Sequence, residues 1–400
     1  MASVGSQPLV HRSRRAAKGE IRDSIQRLFE WLEKNDYSGY DTFDGLSSRY
    51  LRPLTFENKS LRIALQQGVR RFPLNLRPLI GVPKSRSTKA MGFLARGFLR
   101  LHQATGEAQW RERAEFALQW LIENQSPGYT GACWGNHFDY QSRSSYVPKG
   151  LPSVVWTALI GHAFLDAYDH LRETKYLNVA VSSCEHILHD LFQHADGNAL
   201  CIGYFPGQEL YIHNANTLGG SLLARTYSYT RNEAYRTLAR QSLQYTAQYQ
   251  RPDASWWYGE AANLHWVDNF HTGYVLDCFK RYAEGARDDG FEQHLKKGYD
   301  YWKATFFLED GTPRYYDYKT LPIDIQCCSQ AIDTLVYFHD RDDSLPLALK
   351  VAKWTMANMQ DRSGYFYYRR YSRGIVNRTP TLHWGQATML CALAGLYKLL

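Results

Sequence analysis

Hydrophobic positions along this chain fall into two alternating kinds of helical stretch. One kind is apolar almost all round and has small residues near its start. It occurs six times, as "KAMGFLARGFLRLHQATGE", "VVWTALIGHAFLDAYDHLRETKY", "NANTLGGSLLARTYSYTRNEAY", "NFHTGYVLDCFKRYAEG", "DIQCCSQAIDTLVYFHDRDD" and "LHWGQATMLCALAGLYKLL". The other kind follows each of the first five after a short break, for example "AQWRERAEFALQWLIENQ" and "EAYRTLARQSLQYTAQYQ". Its apolar residues fall at i, i+3, i+4 and i+7, with charges on the opposite face. A helix apolar all round is buried, and an amphipathic one faces water on one side. The small residues Gly92, Gly161, Gly220, Gly273, Ser329 and Ala387 recur roughly every 60 positions, as a repeated supersecondary unit would place them.

The sixth apolar stretch, Thr381 to Leu400, has no amphipathic successor. The N-terminal "EIRDSIQRLFEWLEKN" has no apolar predecessor. Pairing these two closes six helical hairpins into a ring. The expectation is an all-α (α/α)6 toroid with six helices inside and six outside. It forms a single domain over residues 20–400, preceded by a basic flexible arm over 1–19. Residues 38–87 fit the repeat poorly and read as a long insertion with one short helix. Strand signals are confined to linkers such as "NALCIGYF" and "YFYYRRY".

The ring predicts where chemistry sits. Parallel inner helices place their N-termini at one end, where unpaired N–H groups and partial positive charge favour polar ligands. The long loops, roughly 126–152, 193–213, 251–269, 305–323 and 361–382, lead into that end, and long loops on a rigid scaffold commonly carry function. Five inner helices have a polar and aromatic approach, such as "CWGNHFDYQSRSSY" and "WWYGEAANLHWVDNFH". The first has a basic one, "PKSRSTK".

Composition sharpens this picture. Aromatic residues make up 14% of the chain, with 29 Tyr and 11 Trp, enough for both a large core and a stacking surface. The 7 Cys form no C-x-x-C pair and lie mostly in apolar runs, which favours a reducing compartment over a disulfide framework. The start lacks an apolar signal region and no stretch approaches the ~20 residues of a bilayer span. The expectation is a cytoplasmic protein with no integral membrane segment. The net charge of +8 owes much to "HRSRRAAKGEIR", and no nucleic-acid-reading motif accompanies it.

Candidate residues follow from the approaches. Asp139 and Asp268 lie beside aromatics near inner-helix starts, as the acid and base of glycoside hydrolysis require, with Glu260 in reserve. Asp is also a preferred N-cap, which is the structural alternative for both. His137, His213, His271 and His383 occupy similar places in successive repeats and could move protons at carbon. Tyr140, Tyr258 and Arg143 suit a proton donor and a carboxylate clamp. Trp256, Trp266 and Trp384 suit stacking on sugar rings. Asn216, Asn269, Gln326 and Arg378 suit hydroxyl binding, and Lys84, Arg86 and Lys89 suit an acidic sugar. The His spacings follow the repeat rather than any close-paired zinc motif, so neither a metal nor a cofactor is expected.

The segments "WGNHFDYQSR", "NANTLGGSLLAR", "NFHTGYVLDCF" and "LHWGQATMLCALAGLY" resemble the six-hairpin glycosidase-like superfamily, over about residues 88 to 400. In particular they resemble proteins found among bacterial exopolysaccharide genes. That resemblance implies a carbohydrate-active enzyme of surface-polysaccharide production or turnover, with polysaccharide-assembly proteins as possible partners. The superfamily spans hydrolases, lyases and epimerases, so fold alone does not choose the reaction. The expected reading is a glycoside hydrolase using Asp139 and Asp268. Its alternatives are a uronate lyase or sugar epimerase using His and Tyr, and a non-catalytic sugar-binding scaffold.

Overall fold

A computed structural model describes residues 7–142 and 145–400. Six inner helices form the ring: α3 (Thr88–Thr105), α5 (Val154–Leu171), α7 (His213–Thr230), α9 (Asn269–Ala286), α11 (Ile325–Tyr337) and α13 (Ala387–Leu399). They pack in that order, and α13 closes the circle against α3. Outside them lie α4 (Ala108–Glu123), α6 (Thr174–His189), α8 (Glu233–Gln248), α10 (Glu292–Thr305) and α12 (Leu345–Met359), each against the inner helix before it. The outer helix α1 (Gln7–Lys34) packs on α13, which completes the sixth hairpin. This is the (α/α)6 toroid that the repeat predicts. Helix α1 reaches back into the stretch read as an arm, where Arg, Ala and Lys are good helix formers.

Small residues set how closely the rods approach. A Cβ added at Gly285 of α9 would lie 2.6 Å from the Ala224 carbonyl of α7, and one at Gly97 of α3 would lie 3.2 Å from the Cys391 backbone of α13. Bulkier residues would push neighbouring inner helices apart. The seven cysteines are free and buried, acting as small hydrophobes in this packing.

The two ends of the ring differ for a local reason. Helices α3, α5, α7 and α9 stop at residues in the left-handed region, Gly106, Arg172, Arg231 and Arg287, so the chain turns back at once. The opposite end receives the long approaches. They hold a hairpin of β1 (Tyr140–Gln141) with β2 (Tyr146–Val147), and one of β3 (Gln193–Asp196) with β4 (Ala199–Ile202). A small antiparallel sheet of β5 (Ile323–Asp324), β6 (Arg369–Arg370) and β7 (Val376–Asn377) ties the fifth approach to the sixth. The insertion contributes its one α-helix, α2 (Lys59–Arg71), and lies over the same end. There, the buried Gln66 exchanges two hydrogen bonds with the Gln141 backbone.

Candidate active site

Four inner helices begin with a side chain that caps them: Ser87, Ser153, Asp268 and Asp324. These caps satisfy N–H groups that would otherwise attract a ligand. At α9 the cap does more. Asp268 Oδ1 accepts the His271 backbone N–H at 3.0 Å, and Oδ2 lies 2.7 Å from the His271 ring Nδ1. One helical turn thus brings residue i+3 back onto its own capping carboxylate. Trp266 Nε1 donates to the same Oδ2 at 3.0 Å. A carboxylate acceptor holds the proton on Nδ1, which leaves Nε2 as the free, basic nitrogen. The ring stands between Phe270 (3.9 Å) and Tyr258 (4.5 Å), and its side chain is 21% exposed.

A second Asp–His pair sits beside it. Asp41, from the insertion, accepts the His383 backbone N–H on Oδ1 at 3.0 Å. Its Oδ2 lies 2.8 Å from His383 Nδ1 and 3.4 Å from His137 Nε2, off the line of a hydrogen bond. Ser87 Oγ is 3.2 Å from the same Nδ1. The two pairs meet through aromatics: Phe270 packs edge-on to Trp384 at 5.7 Å, and Trp384 adjoins His383 at 5.7 Å. Burial pushes the Asp41 carboxyl up to about 6 and His137 down to about 4. Burial and the nearby Lys89 hold His383 well below its ordinary value. The Lys89 ammonium lies 5.1 and 5.0 Å from the ring centres of Trp156 and Trp384, and burial brings its pKa to about 8.

Asp41, His137 and His383 offer ligand atoms within 4.8 Å of one another, a spacing a metal could use. Lys89 sets a positive charge beside that cluster, which opposes a cation there. We therefore read the cluster as a proton-holding network.

Around these pairs the bowl is lined with aromatic rings and arginines. Burial raises the phenols of Tyr140, Tyr204 and Tyr258 well above their ordinary value, Tyr204 adds to the effect on Tyr140, and both of these add to that on Tyr258, so all three stay protonated. Trp266 stacks on Tyr258 at 4.6 Å. Arg70 of α2 lies over Phe43 at 4.5 Å and donates to the Tyr368 hydroxyl at 2.8 Å. Arg369 pairs with Asp324 and lies over Tyr315 at 5.0 Å.

The candidates of the sequence divide accordingly. His137, Tyr140, Tyr258, Trp266, Asp268, His271, His383 and Trp384 come together in the bowl, with Lys89. Asp139 sits at its edge, 2.7 Å from Arg52, and accepts the Lys149 N–H at 2.6 Å. These partners hold its carboxyl below the ordinary range despite partial burial. His213 turns toward α8, 2.5 Å from Glu260 and against Tyr245 and Tyr249. Asn216 spends its amide on Ile202, Ser242 and Thr246. Asn269 binds Arg314 and Trp302, Trp256 is core beside Phe279, and Gln326 donates to Tyr274. Arg378 is exposed and lies over Tyr367. Lys84 and Arg86 bind Asn35 and Asp36 outside the bowl, and Arg143 lies outside the described residues. Sequence reasoning missed Asp41, Arg70, Tyr204, Tyr315 and Arg369.

The ring has counterparts of known structure. A cellobiose 2-epimerase from Bacillus thermoamylovorans B4167 superposes with a TM-score of 0.61 at 13% identity, covering 77% of this chain and 87% of that one. A polysaccharide lyase gives 0.60 at 11%, covering 96% and 98%. A family 88 glycosyl hydrolase from Bacteroides vulgatus gives 0.59 at 12%, covering 96% and 99%. The shared fold is the six-hairpin toroid. No protein-family model matches the chain, and no curated protein matches it. No described helix is long and apolar enough to cross a membrane.

Proposed function

We propose that this chain is a carbohydrate-processing enzyme that moves a proton at a sugar carbon, as an epimerase or a uronate lyase does. The observation that carries this reading is the Asp268–His271 pair at 2.7 Å, with the other ring nitrogen making no hydrogen bond to the described protein. In this reading His271 Nε2 takes the proton, Asp268 fixes its tautomer, and the protonated phenols of Tyr140, Tyr204 and Tyr258 return a proton or carry one to a leaving oxygen. Trp266 and Trp384 supply stacking faces. Arg70 and Lys89, which form no salt bridge among the described residues, give the bowl two cations suited to an acidic sugar. The epimerase and lyase among the similar structures support the same chemistry.

The two-carboxylate hydrolase reading, with Asp139 as partner of Asp268, is the second choice. The family 88 hydrolase that matches nearly the whole chain favours it. Against it, Asp139 is paired with Arg52 and Asp268 is spent on a cap and two ring N–H groups. A non-catalytic scaffold would have no use for an imidazole held by its own capping carboxylate. The setting we propose is bacterial surface-polysaccharide production or turnover, inside the cell.

The test is incubation with uronate-containing oligosaccharides in deuterated water. Deuterium at carbon without cleavage marks an epimerase, and an ultraviolet-absorbing unsaturated end marks a lyase. New reducing ends with neither signal would overturn the proposal in favour of hydrolysis.

A further inference from the structure

At the opposite end of the ring, the last turns of the inner helices enclose a separate cavity of about 430 Å³. Five cations line it, against three carboxylates. Most of these charges answer each other. Arg96 lies 2.9 Å from Asp166, and Arg225 lies 2.6 Å from Asp166 and 2.8 Å from Asp169. Arg100 pairs with Asp333 behind the wall and donates to the Cys391 carbonyl. The third lining carboxylate, Glu284, accepts the Tyr337 hydroxyl at 2.5 Å.

Two cations form no hydrogen bond to a carboxylate among the described residues. The Arg281 side chain is nine-tenths buried and makes no hydrogen bond among the described residues. The carboxylate it approaches, Asp277, is 3.8 Å away, and the guanidinium rests over the Tyr337 ring at 4.8 Å. Lys398, exposed at the mouth, donates only to the neutral Gln103, at 2.7 Å. A guanidinium that lines a cavity with its donors unused by the protein can offer them to a ligand.

We propose that this cavity binds a phosphate group carried by a small molecule, with Arg281 as its forked partner and Lys398 as the second charge. Two cationic groups reach the cavity without a hydrogen-bonded carboxylate, and the Arg fork fits two phosphate oxygens. The volume lies within the ~300–1,000 Å³ of small-molecule sites, more than bare phosphate needs. The site is independent of the bowl, because the bowl's histidines lie at the other end of the same helices.

The test is calorimetric titration of the full chain with inorganic phosphate and with glycerol 3-phosphate, against glycerol and sodium chloride at matched ionic strength. The expected result is saturable binding of one or both phosphates, weakened at least tenfold by Arg281→Met and severalfold by Lys398→Met. Tighter binding of glycerol 3-phosphate would support an organic phosphate as the ligand class, and equal or weaker binding would overturn that part of the proposal in favour of free phosphate. His271→Asn should bind phosphate as the parent does, which separates this site from the bowl. Heat no greater than that of chloride, or unchanged affinity in Arg281→Met, would mean that the cations serve only the helix C-termini, and the proposal falls. Should Arg281→Met not fold, unchanged affinity in Lys398→Met would have the same force.

Discussion

Asp268 reaches His271 across one turn of α9, whereas Asp41 reaches His383 across 342 positions of chain. Both carboxylates take a backbone N–H on one oxygen and approach the same residue's ring with the other. Their surroundings differ. The His271 side chain is 21% exposed and its contact to Asp268 is an in-line hydrogen bond. The His383 side chain is 2% exposed, its contact is off-line, and His137 and Lys89 crowd it. The local pair is preorganised by helix geometry and open to a ligand. The distant pair docks the insertion onto the ring and holds charge in a dry place. The contrast favours the proposed role of the first pair in chemistry, with positioning and binding proposed for the second.

The largest expected effect separates them. His271→Asn should lower turnover at least ~100-fold, the usual share of a general base, with KM little changed. Asp268→Asn should fall in the same range, because the amide no longer fixes the tautomer. Asp41→Asn should lower turnover less than ~10-fold. Steady-state kinetics on a turned-over saccharide checks all three. Equal losses in Asp41→Asn and His271→Asn would erase the distinction and make both imidazoles part of the reaction.

The same contrast explains what could be read from the sequence. The ring was legible because apolar helices and small residues recur at a fixed spacing. Asp268 and His271 were each legible as candidates because both lie in "VDNFH" at the start of an inner helix, but their pairing was not, and Asp268 was matched with Asp139 instead. Asp41 was not, because it lies in "GYDTFDG", inside a stretch that breaks the repeat. Arg70 and Arg369 reach the bowl from α2 and from a strand, which no inner-helix pattern signals. Asn216, Asn269 and Trp256 carried the right residue types at the right end, but their side chains turn to the outer ring. A one-dimensional repeat gives the end of the barrel, not which way a helix's first turn faces.

Lys89 sharpens the comparison through stability. Burial lowers its pKa from 10.5 to about 8, so the folded state holds its proton less tightly than the unfolded chain does. Its stabilising share is present above the unfolded value and is lost as pH falls through about 8. At pH 7, below both values, the buried charge therefore costs about 3 kcal/mol, at 1.36 kcal/mol per unit. Lys89→Met should raise stability by about that amount at pH 7 and weaken binding of an acidic sugar, a trade of stability for function. Urea unfolding at pH 7 and at pH 9.5 checks it. The gain should shrink at the higher pH, and a gain that persists there would trace to packing instead.

His137 tests the acid side of the same cluster. Its pKa falls from 6.5 to about 4, by burial first, against the pull of Asp41 and with the push of His383 and Lys149. A depressed base stabilises the fold above pH 6.5, and that share is lost as pH falls through about 4. Asp41, raised from 3.8 to about 6, works in the opposite direction over the same window. The informative quantity is thus the difference between variant and parent. His137→Gln should lose less stability than the parent between pH 7 and 5, by on the order of 1–2 kcal/mol. Parallel losses would show that His137 titrates in the fold as it does in the unfolded chain.

Asp139 gives the smallest expected effect and the cleanest break between hydrolysis and proton transfer at carbon. Its salt bridge joins Arg52, with a 47% exposed side chain, to a carboxylate that is 16% exposed. Solvent screening limits such a pair to about 1 kcal/mol or less. The carboxyl is already ionised at neutral pH, because backbone and side-chain donors hold it below its ordinary value. A general acid must carry a proton at working pH, and nothing around Asp139 keeps one there. Asp139→Asn should therefore change turnover less than ~10-fold and shift the urea midpoint only slightly, since the amide oxygen still accepts the Lys149 N–H. A ~100-fold loss with normal stability would instead give Asp139 the acid–base share that two-carboxylate hydrolysis demands. His271 would then become a binding group, and the exposed local pair would owe its geometry to the helix cap alone.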